Sequence, residues 1–360
     1  MRSVLAVMKD HGGMQAVMPV VAILRRLGVQ ITLVTNGKAT NLLSNQGEEV
    51  MTYQTAEEAL KQLDPFPDIL LTSMCSEGGI GRDLVPLLRK YHPSIRVVAL
   101  QDSWGTRLWT DWALPKYRPD FICVNDQIGT ELVKRAWPDF NTEHIKVLGY
   151  AMFDQYAHID RISACKSARK KLDLDHNQRV ILYCGQTVAS GQTLYELIQT
   201  LSSLEYQYRL MPRQHPRMAT DAPSIEAELW HKAEDEARYP LLRTTCTPME
   251  AIAASDLVIG MFSTMLVEAA CLRKPTVSIM YPKLGQAWFE KVSDGGQTRY
   301  PLESLGACST ARDPKQLREV LEEFFQDGTL HQEFAQKNAF PLDGKNAERI
   351  AEFVYALVSH

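Results

Sequence analysis

The run Asp256-Leu-Val-Ile-Gly-Met-Phe-Ser-Thr-Met-Leu-Val-Glu-Ala-Ala-Cys-Leu-Arg-Lys-Pro-Thr-Val-Ser-Ile279 spaces two hydroxyls and one carboxylate as a nucleotide would need them. Leu257–Ile259 reads as a short buried strand, then a Gly-led turn, then a helix opening at Ser263 and Thr264. Such a helix presents unpaired N–H groups and the positive end of its dipole to a phosphate. One turn further in, Glu268 stands among apolar residues, where a carboxylate needs a hydroxyl or a cation. Ribose hydroxyls would satisfy it. The same residues also fit a plain strand–helix–strand unit with a capped helix.

Other strand ends carry chemistry of their own. Lys9-Asp-His-Gly-Gly-Met-Gln-Ala-Val-Met-Pro19 places Asp10 and His11 at a strand tip, where either can act as general base. Gly12 and Gly13 let a ligand approach the backbone closely. Gln101-Asp-Ser-Trp-Gly105 adds Asp102, and Thr72–Gly79 adds Glu77. Trp104, Arg107, Trp109 and Trp112 interleave indoles with charge, which suits the C–H faces and hydroxyls of a sugar, or else simply packs a loop. Later in the chain, Gly185, Gln186 and Thr187 open an anion-receptive turn. Arg213, His215 and Arg217, fixed by Pro212 and Pro216, form a cationic loop matched to a diphosphate or carboxylate.

The elements that must position these loops alternate almost from end to end. Strands are predicted at Val4–Met8, Ile31–Val34, Ile69–Thr72, Arg96–Leu100, Phe121–Val124 and Ile145–Leu148, with helices at Val17–Leu27, Ala56–Leu63, Gly79–Tyr91 and Gly129–Trp137 between them. The pattern restarts near residue 178 with strands Arg179–Cys184, Tyr208–Met211, Leu241–Arg243, Leu257–Ile259 and Thr276–Met280. Helices Leu194–Leu204, Glu226–Ala237, Pro248–Ala254, Ser263–Leu272, Pro314–Gln326 and Asn346–Val358 go with them. Continuous Val/Ile/Leu strands joined by helices imply α/β architecture with parallel sheets covered on both faces. The expected division is 1–160, a linker helix and turn at 161–177, a second domain at 178–340 and a C-terminal helix at 341–360 that packs back toward the first.

Composition narrows the function classes. A chain of 360 residues suits two domains of roughly 150–200 residues. With 45% hydrophobic and 23% charged residues it reads as globular, and a net charge of −4 argues against nucleic acid as a partner. Membrane-spanning segments of ~18–20 apolar residues are absent from the sequence. The opening Met1–Lys9 reads as a first strand, not a leader. The seven scattered cysteines lack metal spacing and are expected to be reduced core thiols of a cytoplasmic protein.

Taken together, these residues resemble the GT-B superfamily of sugar-nucleotide enzymes: glycosyltransferases of the bacterial surface-polysaccharide type and the related non-hydrolysing UDP-N-acetylglucosamine 2-epimerases. Asp256–Ile279 is similar to their nucleotide-binding strand–helix, with Ser263 and Thr264 at the diphosphate and Glu268 at the ribose. Arg213-Gln-His-Pro216 resembles their His-Pro loop, and Val147-Leu-Gly-Tyr-Ala-Met-Phe-Asp154 the Gly-x-x-x-x-Asp segment that ends the first domain. The resemblance implies two doubly wound Rossmann-like domains facing across a cleft. It implies a nucleotide-sugar donor as substrate, a glycan, lipid-linked or small-molecule acceptor, and neither metal nor cofactor. Donor contacts would come from Gly185, Gln186, Thr187, Arg213, His215, Ser263, Thr264 and Glu268, with Gly12, Gly13, Trp104 and Arg107 on the acceptor side. His11, Asp10 or Asp102 would be the base. Gly-Met-Phe-Ser-Thr stands where the epimerases carry Gly-Gly before the acid, and their N-terminal Gly-Thr-Arg-Pro-Glu loop is missing, so a transferase leads. An epimerase using Asp102, Glu77 or Asp154 and a non-catalytic sugar-nucleotide binder are the alternatives. Peripheral contact with the inner membrane face and the oligomeric state stay open.

Overall fold

The uniformly apolar runs form two parallel sheets in the computed structural model, which describes residues 2–74, 78–105, 112, 114–215, 224–292, 300–326, 340 and 342–358. Strands apolar on both faces cannot leave either face wet, so helices must cover both.

The first unit comprises residues 1–157 and 342–360. Its chain runs β1 (Ser3–Met8), α1 (His11–Arg26), β2 (Gln30–Thr35), α2 (Lys38–Asn45), β3 (Met51–Thr52), α3 (Ala56–Lys61), β4 (Ile69–Ser73), α4 (Ile80–Tyr91), β5 (Arg96–Leu100), β6 (Phe121–Val124), α5 (Gln127–Ala136), β7 (Ile145–Val147) and α6 (Asp154–Ala157). The sheet order is β3-β2-β1-β4-β5-β6-β7. One sheet face presents Leu5, Val7, Leu70, Val97 and Ile122 to Leu84 and Leu88 of α4 and Val133 of α5. Successive connections leave β1 toward β2 on one side and resume at β4 on the other. The carboxyl ends of β1 and β4 therefore flank a switch point, where open α/β sheets hold their ligands.

The second unit comprises residues 158–341. It contains α7 (Arg161–Lys171), β8 (Val180–Cys184), α8 (Ser190–Ser202), β9 (Arg209–Arg213), α9 (Ser224–Asp235), α10 (Pro248–Ala254), β10 (Leu257–Gly260), α11 (Thr264–Cys271), β11 (Thr276–Ile279), α12 (Lys283–Val292), α13 (Pro301–Ser304), β12 (Ser309–Ala311) and α14 (Pro314–Gln326). The order β12-β11-β10-β8-β9 puts the switch point between β8 and β10, with Cys184 opposite Gly260. Ile181, Tyr183, Ile259 and Val277 pack against Leu194 and Leu197 of α8 and Leu317 and Leu321 of α14.

The last helix, α15 (Asn346–Leu357), belongs to the first unit and lies against α1. Its first N–H groups have no cap from their own side chains; Asp154 supplies it, accepting from Asn346 N at 3.0 Å and Ala347 N at 2.8 Å. Arg349 Nε donates to Leu148 O at 3.0 Å, and Gly149 at φ +95 lets Asn346 come close. The Gly149–Asp154 segment thus clasps a helix almost 200 residues later. Asp154→Ala removes an N-cap of this kind, and the expected cost to the unit is about 1–2 kcal/mol. The readout is a lower urea midpoint at unchanged slope.

Several expectations need correction. The first helix starts at His11, not Val17, because Asp10 caps it and the glycines lie in its first turn. Leu241–Arg243 forms no strand; beyond edge strand β9, Leu242 N reaches Leu210 O at 2.8 Å without further ladder bonds. The sequence pattern does not announce α2, β3, α6, α12, α13 and β12, among which β3 is two exposed residues long and carries no pattern to read.

Candidate functional site

In the second unit the turn after β8 is built from its own polar groups. Gly185 N donates to Arg213 O at 2.8 Å, tying the end of β8 to the end of β9. Gln186, 5% exposed, receives Phe262 N on its Oε1 at 3.2 Å and donates its Nε2 to Val188 O at 2.9 Å. One side chain therefore bridges the loops after β8 and β10. Ser190 Oγ accepts from Gln186 N at 3.2 Å, and Thr187 stays half-buried beside it.

After β10, Ser263 caps α11, its hydroxyl taking Met265 N at 3.4 Å. Thr264 is exposed at the same helix start. The two helix N-termini, α8 and α11, follow adjacent strands, so their positive ends serve one switch point. Arg213 lies half-buried, donating to Cys246 O at 2.7 Å, with His215 two residues on and also half-buried. Burial pushes the Cys184 thiol up; Glu268 adds to that shift and Arg213 opposes it. Burial and then Glu268 likewise raise Cys271. Both charges therefore act at the end of β8, a carboxylate and a guanidinium beside the switch point. Chemically, helix starts and a guanidinium suit an oxyanion, and a carboxylate suits hydroxyls. Glu268→Ala is expected to weaken nucleotide affinity about 10- to 100-fold, the worth of one or two charge-assisted hydrogen bonds. Its melting temperature should stay near wild type; calorimetric titration and a melting curve check both halves, and an unfolded variant would make Glu268 a structural acid.

The first unit gathers acid and base groups at the ends of β1, β4 and β5. Asp10 accepts from Gly13 N at 2.9 Å as the α1 cap. Gly12 lies beside Asp102 O, and Tyr150 donates its hydroxyl to the same carbonyl at 2.8 Å. Asp102 retains some surface, yet enclosure of its carboxyl drives its pKa well above the usual carboxylate value, and the Asp10 charge drives it further. Ser73 Oγ works in the opposite sense, lying near the carboxyl without completing a hydrogen bond of good geometry. His11 is exposed; the surrounding protein lowers its pKa and Asp10 partly restores it. Asp10 thus acts electrostatically on both Asp102 and His11, and titratable groups coupled in this way are candidates for proton transfer.

Trp104 and Trp112 are 7% and 1% exposed, and Trp104 Nε1 donates to Asp126 Oδ2 at 2.7 Å. Neither indole is an open platform for a sugar: Asp126, which also caps α5 through Gly129 N, draws Trp104 into the sheet. Glu77, Arg107, Trp109, Pro216 and Arg217 lie outside the described residues. Ser73 and Tyr150 were not foreseen. Ser73 ends a strand like the residues that were, but Tyr150 reaches Asp102 across 48 residues, which no local pattern announces.

No protein-family model matches the chain, and no curated protein matches it in sequence. Solved structures do. The UDP complex of MnaA from S. aureus is 14% identical with a TM-score of 0.71, covering 100% of this chain and 98% of that one. The UDP-GlcNAc 2-epimerase from Neisseria meningitidis bound to UDP-GlcNAc is 12% identical with a TM-score of 0.69, covering 98% and 100%. A glycosyltransferase from Rickettsia africae ESF-5 is 11% identical with a TM-score of 0.67, covering 100% and 99%. Likeness at that identity speaks for architecture, and with the two switch-point sheets it gives one conclusion: the chain has the GT-B fold, two doubly wound α/β units.

Proposed function

We propose that the protein is a metal-independent glycosyltransferase, moving a sugar from a nucleotide-activated donor to a glycan, lipid-linked or small-molecule acceptor. The observation that carries this reading is the β8–β10 switch point, where Gln186 bridges the loops after both strands and the charges of Arg213 and Glu268 both act on Cys184 at the end of β8. In this reading Ser263, Thr264, Arg213 and His215 hold the diphosphate and Glu268 the ribose. Helix dipoles and guanidinium then stabilise the departing diphosphate without a cation. The first unit deprotonates the acceptor through His11 or Asp10, with Asp102 as the alternative. Two of the similar structures hold UDP or UDP-GlcNAc, which supports a nucleotide sugar as the donor. No helix among the described residues is long and apolar enough to cross a membrane. A lipid-linked acceptor would be met at the cytoplasmic face.

A second reading, a sugar-nucleotide 2-epimerase, is favoured by one feature: the raised Asp102 beside Asp10 suits removal and return of a carbon-bound proton. Incubation of the protein with nucleotide sugars in D2O separates the two. Transfer that requires an acceptor, with no deuterium in the donor sugar, supports the transferase. Deuterium at the sugar carbon without acceptor supports the epimerase.

A further inference from the structure

We propose that the N-terminus of α4, in the first unit, is a binding site for a phosphate group. The helix has twelve residues, and its N-cap is Gly79 at φ +128, which has no side chain with which to cap the first turn. An uncapped helix start inside the fold leaves its N–H donors for a ligand. It opens at the carboxyl end of β4, beside the β1–β4 switch point.

The second observation is independent of the helix. Trp112 lines the same recess, is 1% exposed, and its indole N–H has no hydrogen-bond partner among the described residues. A buried donor without an acceptor is costly, so the indole N–H calls for an acceptor in this recess. Lys9 and Arg82 add positive charge to the wall. A phosphate, with many lone pairs and up to two charges, fits that list of donors better than a carboxylate does.

The recess as it stands encloses about 10 Å³, the room of one water. Arg82 closes it, its guanidinium lying over Gly78 while also pairing with the exposed Asp83 at 2.8 Å and stacking on Tyr117. The side chain that fills the space is thus the one best able to clamp an oxyanion. Swinging outward, it opens the recess to an adjoining groove of about 340 Å³ that shares Asn36, Gly79 and Ile80. The site stands on residues of the first unit alone and does not rest on the nucleotide reading of the second.

The test uses the full chain with ¹⁵N-labelled tryptophan, whose six indoles give six N–H signals. The Trp112 signal is the one missing from Trp112→Phe or, if that variant does not fold, is assigned through bonds. Inorganic phosphate is expected to move it saturably, and sodium chloride at equal ionic strength is not. Arg82→Gln should raise the half-saturating concentration about tenfold, whereas Arg213→Ala in the other unit should leave it unchanged. A Trp112 signal that stays still, that follows chloride or acetate equally, or that titrates identically in Arg82→Gln overturns the proposal.

Discussion

Asp102→Asn is expected to lower turnover about 100- to 10,000-fold where Asp102 itself is the acid or base, the range for loss of such a group, and to leave it within tenfold where His11 or Asp10 is. Nucleotide affinity, which the account places in the second unit, should be unchanged. The substitution keeps size and hydrogen bonding but cannot titrate. Burial first and Asp10 second raise the Asp102 pKa above its ordinary 3.8, so the folded chain keeps a proton that the unfolded chain has released. Stability from this group is then full below about pH 4 and declines as pH rises toward its folded pKa. Asp102→Asn should flatten that part of the stability–pH curve. Turnover within tenfold of wild type would remove Asp102 from the chemistry, whatever happened to the curve.

The largest expected stability effect belongs to Arg169→Met. Arg169 is 7% exposed and donates to Ala254 O at 3.0 Å, to Asp175 O at 2.8 Å and to Gln178 O, while pairing with Asp256 at 3.3 Å. One guanidinium thus joins α7, the turn after it, and the entry to β10. Methionine fills the volume but strands three carbonyls and leaves the Asp256 carboxylate with Val180 N at 2.8 Å. Removing one partner from a fully buried ion pair costs about 3–5 kcal/mol; with the Asp256 side chain 28% exposed the expected loss lies toward the lower end, still far above the fraction of a kcal/mol for surface pairs such as Lys315–Glu319. Guanidinium unfolding with a probe in the second unit, such as Trp230 fluorescence, would show the loss. A change below about 1 kcal/mol would mean that water replaces the guanidinium at that corner.

These residues also show where sequence reading succeeds. Val/Ile/Leu runs announce the parallel strands, since strands dry on both faces have no other composition. The Ser263 cap was legible because capping is a local affair of one side chain and the N–H two or three residues on. Asp10 was seen at its strand tip, but its capping of α1 was missed because the glycines after it look like loop. The long-range pairings were invisible: Arg169 lies in a basic segment that reads as a linker, and its partner Asp256 is 87 residues away. Asp154 was noticed as part of a motif, yet its use, capping α15, depends on where the chain returns. The tryptophans misled for the same reason, because an indole suits both a sugar platform and a core, and Asp126 decides for Trp104.

The measurement closest to the central claim is calorimetric titration of the wild-type protein with UDP, CMP, CDP, GDP and dTDP and their sugar conjugates, repeated with Glu268→Ala and Arg213→Ala. Saturable binding of one nucleotide at up to millimolar concentration is expected, weakened in both variants, with Arg213→Ala affecting the diphosphate more than the parent nucleoside titrated beside it. No binding by any of them, or binding indifferent to both substitutions, would contradict a nucleotide site at the β8–β10 switch point.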